Sequence, residues 1–310
     1  VPLGLGLLLF LVFRLGASRI AEALISVGPG FALVLAIYGV GLSLSAFGLS
    51  ALLDPADRPS PAASLASRFA ATSLNDLLPV FGVGGEASRA LWFSPKRRFA
   101  VVHALILDRI LLIVSDALFV AAVALAVLVG LTIPARLMWH AAATFAAMLG
   151  LGAALIWFTL RHGVAVPAAR LLALGRIRGA GKWLEQARGV DASVREVWQQ
   201  HPRRAMHNLL IQLGSRLLLC LETWVGLALL HVEVDVLSAL IIAAVPMAVS
   251  VAFFFVPSQL GAQEASLALA FALLHLDPAL GLALSMLQRM RQLVFAPLGV
   301  FLLATAPRRY

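Results

Sequence analysis

Long apolar runs alternate along this chain with short polar breaks. Phe31 to Leu53, Ile110 to Ile133, Met138 to Leu160, Leu209 to Leu230 and Leu280 to Thr305 each approach or exceed the ~20 residues a helix needs to cross a bilayer. The pattern predicts a bundle of membrane-spanning helices. Val1 to Phe13 is shorter and starts without methionine, which fits a trimmed first span; it lacks the basic flank of a signal peptide. Pro61 to Leu78 breaks the pattern. It is rich in Ser, Thr, Asn and Ala and carries Arg68 and Asp76, so it makes a poor lipid-facing span.

A short motif recurs inside these apolar surroundings. Pro79-Val80-Phe81-Gly82-Val83-Gly84-Gly85-Glu86-Ala87-Ser88 is echoed by Pro257-Ser258-Gln259-Leu260-Gly261-Ala262-Gln263-Glu264-Ala265-Ser266. The strict identities are the proline, the glutamate, the alanine and the serine. Paired Gly/Pro-broken segments bearing an ionisable residue mark transporter-like sites near the bilayer midplane. Broken backbone at that depth survives only where it is buried in protein or lines a polar cavity.

Composition strengthens the membrane reading. The chain is 61% hydrophobic and 13% charged, with a mean hydropathy of +0.96, whereas soluble proteins carry about 25% charged residues. The net charge of +9 does not point to nucleic acid, because nine of the 24 basic residues lie in one stretch from Arg161 to Arg204. Such a loop reads as a cytoplasmic anchor on anionic lipid, with Trp183 and Trp198 on interfacial helices. The single Cys220 excludes an intrachain disulfide and a cysteine metal cluster.

Setting that loop inside orders the rest. Residues 1–160 form a first half, 161–204 a basic linker and 205–310 a second half, within one integral membrane domain. The segment around 79–86 would enter from the inside and return there, and the one around 257–264 would enter from outside. Fifteen of the 24 basic residues then lie inside, whereas Arg14, Arg19 and Arg136 lie outside. The expected architecture is an all-α transmembrane bundle with two re-entrant hairpins related as an inverted repeat. Val236–Val256 is also long enough to cross fully, and that alternative stays open. Half-helices starting near Gly84 and Ala262 would aim their positive ends at the bilayer middle, which suits a lipid phosphate.

Each motif is followed by charge inside a span: Asp108-Arg109 in the first half, Gln288-Arg289 in the second, with Arg291 beside it. An arginine at mid-span costs about 2.5–3.5 kcal/mol, so it should face the interior and pair. Glu86 and Glu264 are the natural partners of Arg109 and Arg289, each in its own half or across the pseudo-twofold. These pairs could simply lock the hairpins, or the arginines could hold a lipid phosphate that competes with the glutamates. Arg89 has no counterpart and reads either as a headgroup contact or as a snorkelling side chain. Asp116 could pair with His103 or Arg109, while Arg216 and Glu222 should find partners on other helices. Ser88 and Ser266 read as packing residues. No nucleophile–base pair, metal spacing or dinucleotide motif stands out.

Asn75-Asp76-Leu77-Leu78-Pro79, then Gly84-Gly85-Glu86-Ala87-Ser88-Arg89 and Leu107-Asp108-Arg109, resemble the membrane region of the lysylphosphatidylglycerol synthase family. The string from Pro257 to Ala265, including Gln263, is similar to that family's second signature. The resemblance covers nearly the whole chain. Within the family the chain looks like the stand-alone flippase-like proteins, including those associated with hopanoid biosynthesis. The resemblance implies lipid translocation; the soluble aminoacyl-transferase domain is not in these residues, so lysyl-lipid synthesis is not implied.

The expectation is therefore a lipid transporter of a bacterial-type inner membrane, not an enzyme and without a cofactor. Its partners would be membrane lipids, anionic in headgroup, with homo-oligomerisation open. Arg109 and Arg289 would hold the headgroup, Glu86 and Glu264 would neutralise them when empty, and Gly84, Gly85, Pro79 and Pro257 would shape the backbone. A lipid-modifying membrane enzyme and a scaffold for lipid-synthesis enzymes are the alternatives.

Overall fold

The computed structural model describes residues 22, 25–77, 84–93, 95–130, 135–167, 170, 180–252 and 261–305, and every regular element among them is helical. Ten α-helices can be named: α1 (Phe31–Leu52), α2 (Pro61–Leu77), α3 (Gly84–Arg89), α4 (Pro95–Gly130), α5 (Ala135–His162), α6 (Ala180–Gln200), α7 (Pro202–Leu229), α8 (Val236–Ala252), α9 (Ala262–Leu273) and α10 (Pro278–Ala304). Four helices start on a proline, whose missing N–H is unpaired there in any case. Asp277 caps α10 through the Ala279 N–H at 2.9 Å. Asp235 caps α8 through the Ser238 N–H at 3.1 Å, and hydrogen bonds from the Ser238 hydroxyl and N–H hold its exposed carboxyl below the ordinary range.

Four helices are long and apolar enough to cross a membrane: Ile25–Leu52, Val101–Val129, Met138–His162 and Pro202–Leu229. They match four of the five spans expected from the sequence. The fifth, α10, has 27 residues but carries Arg289 and Arg291. Helices α8 and α9 are apolar and shorter, and α2 is polar, as its composition predicts. Four crossing helices in one chain make this a multi-pass membrane protein. The turns at Pro79 and Pro257, the segment Val1–Phe13 and residues 171–179 of the basic linker lie outside the described residues.

The packing is reciprocal. Helix α1 lies along α7; α2, which precedes the first motif, packs on α10; and α8, which precedes the second, packs on α4. Each short helix after a motif also touches the long helix that follows it, α3 on α4 and α9 on α10. Apolar clusters close the two ends. One joins Val34, Leu227, Ile242, Phe271 and Leu284; the other joins Leu49, Val101, Leu111, Val190 and Ala205. Between them, α7 presents its polar side chains from Asn208 to Glu222.

The amphipathic helix α6 is fastened to the end of α5. Gly163, at φ +75°, turns the chain so that the N–H groups of Val164, Ala165 and Val166 all reach the Asp191 carboxylate at 2.8, 2.8 and 2.9 Å. Arg195 adds a hydrogen bond to the Leu160 carbonyl at 2.8 Å.

The contact of α2 with α10 depends on Gly299, where a Cβ would strike Ser73 and the Phe69 carbonyl. Ser73 Oγ also donates to the Phe295 carbonyl at 3.1 Å. Gly299→Val should separate the two helices and cost about 1–3 kcal/mol. Thermal unfolding in detergent would show it as a lowered midpoint.

Candidate functional site

Asp108 is the centre of the first charged cluster. It lies on the inner face of α4, is 3% exposed, and accepts from Arg89 at 3.2 Å, Asn208 at 2.7 Å and Gln212 at 2.8 Å. Gly48 of α1 makes room for them: a Cβ there would sit 3.0–3.1 Å from all three of Asn208, Gln212 and Asp108. Arg89 is fully buried, and its Nη1 is shared between Asp108 and Glu86, each at 3.2 Å. Arg68 of α2 completes the chain with a 2.8 Å bond to Glu86. Gly85 is required by close approach, because a Cβ would meet the Ala71 carbonyl and Asn75, whose side chain accepts the Gly85 N–H at 2.9 Å.

The second motif builds a smaller cluster. Glu264, fully buried, accepts from Arg289 Nε at 2.8 Å and from the Gly261 N–H at 2.7 Å. Gln263 donates to Gln288 at 3.3 Å. The two copies share one detail: Ser88 Oγ bonds the Gly85 carbonyl and Ser266 Oγ the Gln263 carbonyl, at 2.6 and 2.7 Å. These serines serve their own helices.

A cavity of about 180 Å³ opens between α1, α2, α4, α7 and α10. Tyr38, Ser45, Arg68, Thr72, Arg216, Glu222 and Arg291 supply its polar lining. Arg291 pairs with Glu222 and stacks over the Tyr38 ring at 3.8 Å, and Arg216 pairs with Asp116. Arg68 Nε and Arg291 Nε are buried donors without a hydrogen-bond partner among the described residues. A buried guanidinium with unused N–H groups beside a cavity is a host for an anion. Asp76, also on α2, lies in the field of Arg291 and Arg289. A second cavity of about 180 Å³, near the α1–α2 turn, is lined by Asp54, Asp57 and Glu196, and its Arg204 is paired with Asp54 at 2.7 Å; it is a poorer anion site.

Several sequence expectations need correction. Arg109 is exposed and makes no hydrogen bond or ion pair with a described residue, so Glu86 pairs with Arg68 and Arg89 instead. Neighbouring residues on a helix point roughly 100° apart, and the inward place goes to Asp108. Asp116 pairs with Arg216, not with Arg109 or His103. Arg89 is interior, not snorkelling. At the half-helix starts near Gly84 and Ala262, expected to suit a phosphate, the Gly85 and Gly261 N–H groups donate to Asn75 and Glu264. The expected Glu264–Arg289 pair is present, and Arg216 and Glu222 do pair with other helices. Pro79 and Pro257 lie outside the described residues, and Gly84 begins α3. The sequence did not single out Arg68, Tyr38, Arg216 or Arg291 as a group; the usable signal was an excess of charge inside apolar helices.

The family model of the lysylphosphatidylglycerol synthase TM region matches residues 1–299. The chain belongs to that family. No curated protein and no solved structure matches it. Membership makes this a lipid-related membrane protein, and the motifs that carry the family resemblance are those that place Asn75, Gly85, Glu86, Arg89 and Asp108 in one buried cluster.

Removing Asp108 from this family member would leave Arg89 short of a counter-charge and two amides without an acceptor. Asp108→Ala should cost about 3–5 kcal/mol, whereas Arg109→Ala should stay within about 0.5 kcal/mol. Unfolding curves of the two variants in the same detergent would separate them.

Proposed function

We propose that the chain is a lipid transporter that carries an anionic headgroup between the leaflets of a bacterial-type inner membrane. The observation that supports this most is the cavity lined by Arg68, Arg216 and Arg291, two of which carry buried N–H groups without a described partner. Its volume of about 180 Å³ leaves room for a group of several heavy atoms. That suits a phosphate and its substituents, with the acyl chains left in lipid between the helices. Its charged lining favours an anionic lipid over the apolar ring body of a hopanoid.

The arginines pair with Glu86, Asp116 and Glu222, and a phosphate can compete with those carboxylates for them. The reciprocal packing of α2 on α10 and α8 on α4 supports two re-entrant units related as an inverted repeat, the arrangement from which alternating access follows. On this reading Arg109 is not a headgroup ligand, and Arg289 with Glu264 secures α9 on α10.

Proteoliposomes containing fluorescent phosphatidylglycerol test the proposal through the rate at which label leaves the outer leaflet. Wild type should exceed empty vesicles. Arg68→Gln and Arg291→Gln should slow transfer at least about tenfold, because truncating one side of a buried charge pair costs about 2–5 kcal/mol. Arg109→Gln should transfer as wild type does. Equal rates for wild-type and empty vesicles would remove the function.

A further inference from the structure

The three arginines that line the cavity are balanced by the carboxylates they bond. Arg68, Arg216 and Arg291 stand against Glu86, Asp116 and Glu222, three positive against three negative, each arginine bonded to one of those carboxylates. An anionic headgroup entering this site brings a negative charge into a buried, already neutral cluster. Uncompensated charge in a low-dielectric interior is strongly disfavoured. The compensation available inside the protein is a proton on one carboxylate.

Glu222 is the carboxylate placed to take it. It is 2% exposed and lines the cavity, and its Oε2 has no hydrogen-bond donor among the described residues while Oε1 faces Arg291. Glu86 is held by two arginines, and Asp116 by Arg216 away from the lining. The charged and titratable groups around Glu222 are Arg291 from α10, Tyr38 from α1, Arg68 from α2 and Arg216 on its own helix α7, with Asp76 of α2 in the field of Arg291 and Asp116 of α4 behind Arg216. Helix α8, also packed on α7, carries no titratable side chain.

We propose that the transporter is a proton symporter: the lipid phosphate replaces Glu222 on Arg291, and Glu222 takes up one proton and carries it with the lipid. The proton adds to Oε2, and the neutral carboxyl donates it in a hydrogen bond to the phosphate. On release to the other leaflet the proton leaves and the Glu222–Arg291 pair re-forms. Only the O–H bond to that proton forms and breaks, and one negative and one positive charge cross together. The proposal rests on the lipid-transport reading above.

The test uses full-length protein in phosphatidylcholine vesicles with fluorescent phosphatidylglycerol, under an imposed pH gradient of one unit. Tight one-to-one coupling should enrich the label in the leaflet facing the alkaline side by up to about tenfold beyond protein-free vesicles, the factor equivalent to one pH unit. A lumenal pH dye should report about one proton per lipid, the stoichiometry that neutralises one added charge. Any transfer that remains in Glu222→Gln should lose its response to the gradient, while Asp116→Asn should keep it. If wild type transfers the label but distributes it without regard to the gradient and moves no protons, symport is overturned and lipid transport stands. If wild type transfers nothing, both fall. If Asp116→Asn loses the response and Glu222→Gln keeps it, the assignment to Glu222 is overturned.

Discussion

Charge inside an apolar helix bundle has to be matched within a few ångströms, and five of the matches here tie one helix to another. Arg68–Glu86 joins α2 to α3, Arg89–Asp108 joins α3 to α4, Arg216–Asp116 joins α7 to α4, Arg291–Glu222 joins α10 to α7, and Arg289–Glu264 joins α10 to α9. Buried ion pairs contribute little net stability against a hydrophobic alternative, but losing one partner is expensive. Their effect is to forbid other helix registers. Apolar side chains alone would tolerate sliding; an arginine that must meet one carboxylate does not.

The polar contacts also need backbone to come close. Glycines at 48, 85 and 299 stand where α1, α3 and α10 meet polar atoms of α7, α2 and α2 again. Small residues at such contacts are how helices in lipid gain packing and interhelical hydrogen bonds when no hydrophobic force draws them together. Charge pairing and glycine contacts thus act together, and the cavity is the space left where Arg68, Arg216 and Arg291 converge without filling it.

The sequence revealed the helical class, four of the crossing segments and the importance of the glutamate motifs, because hydropathy and breaks in it are local properties. Partner choice was less legible. Glu264 and Arg289 are 25 residues apart on adjacent helices, and their pairing followed from spacing. Glu86 and Arg109 had nearly the same spacing and did not pair, since Arg68 and Arg89 were nearer and Asp108 held the inward position. Arg291 with Glu222 spans 69 residues, and Arg216 with Asp116 spans 100, too far for any local rule. Arg68 looked like a defect in a poor span, whereas it is that helix's contribution to the cavity.

The attachment of α6 works differently from the rest. Asp191 grips three consecutive main-chain N–H groups rather than any side chain of Val164, Ala165 or Val166. What is recognised is the shape of the turn, set by the left-handed backbone at Gly163. The residues in that turn are therefore free to drift in identity provided none is proline and the glycine stays. An interhelical joint of this kind is inherited as geometry, and its specificity is invisible to any comparison of the side chains it holds.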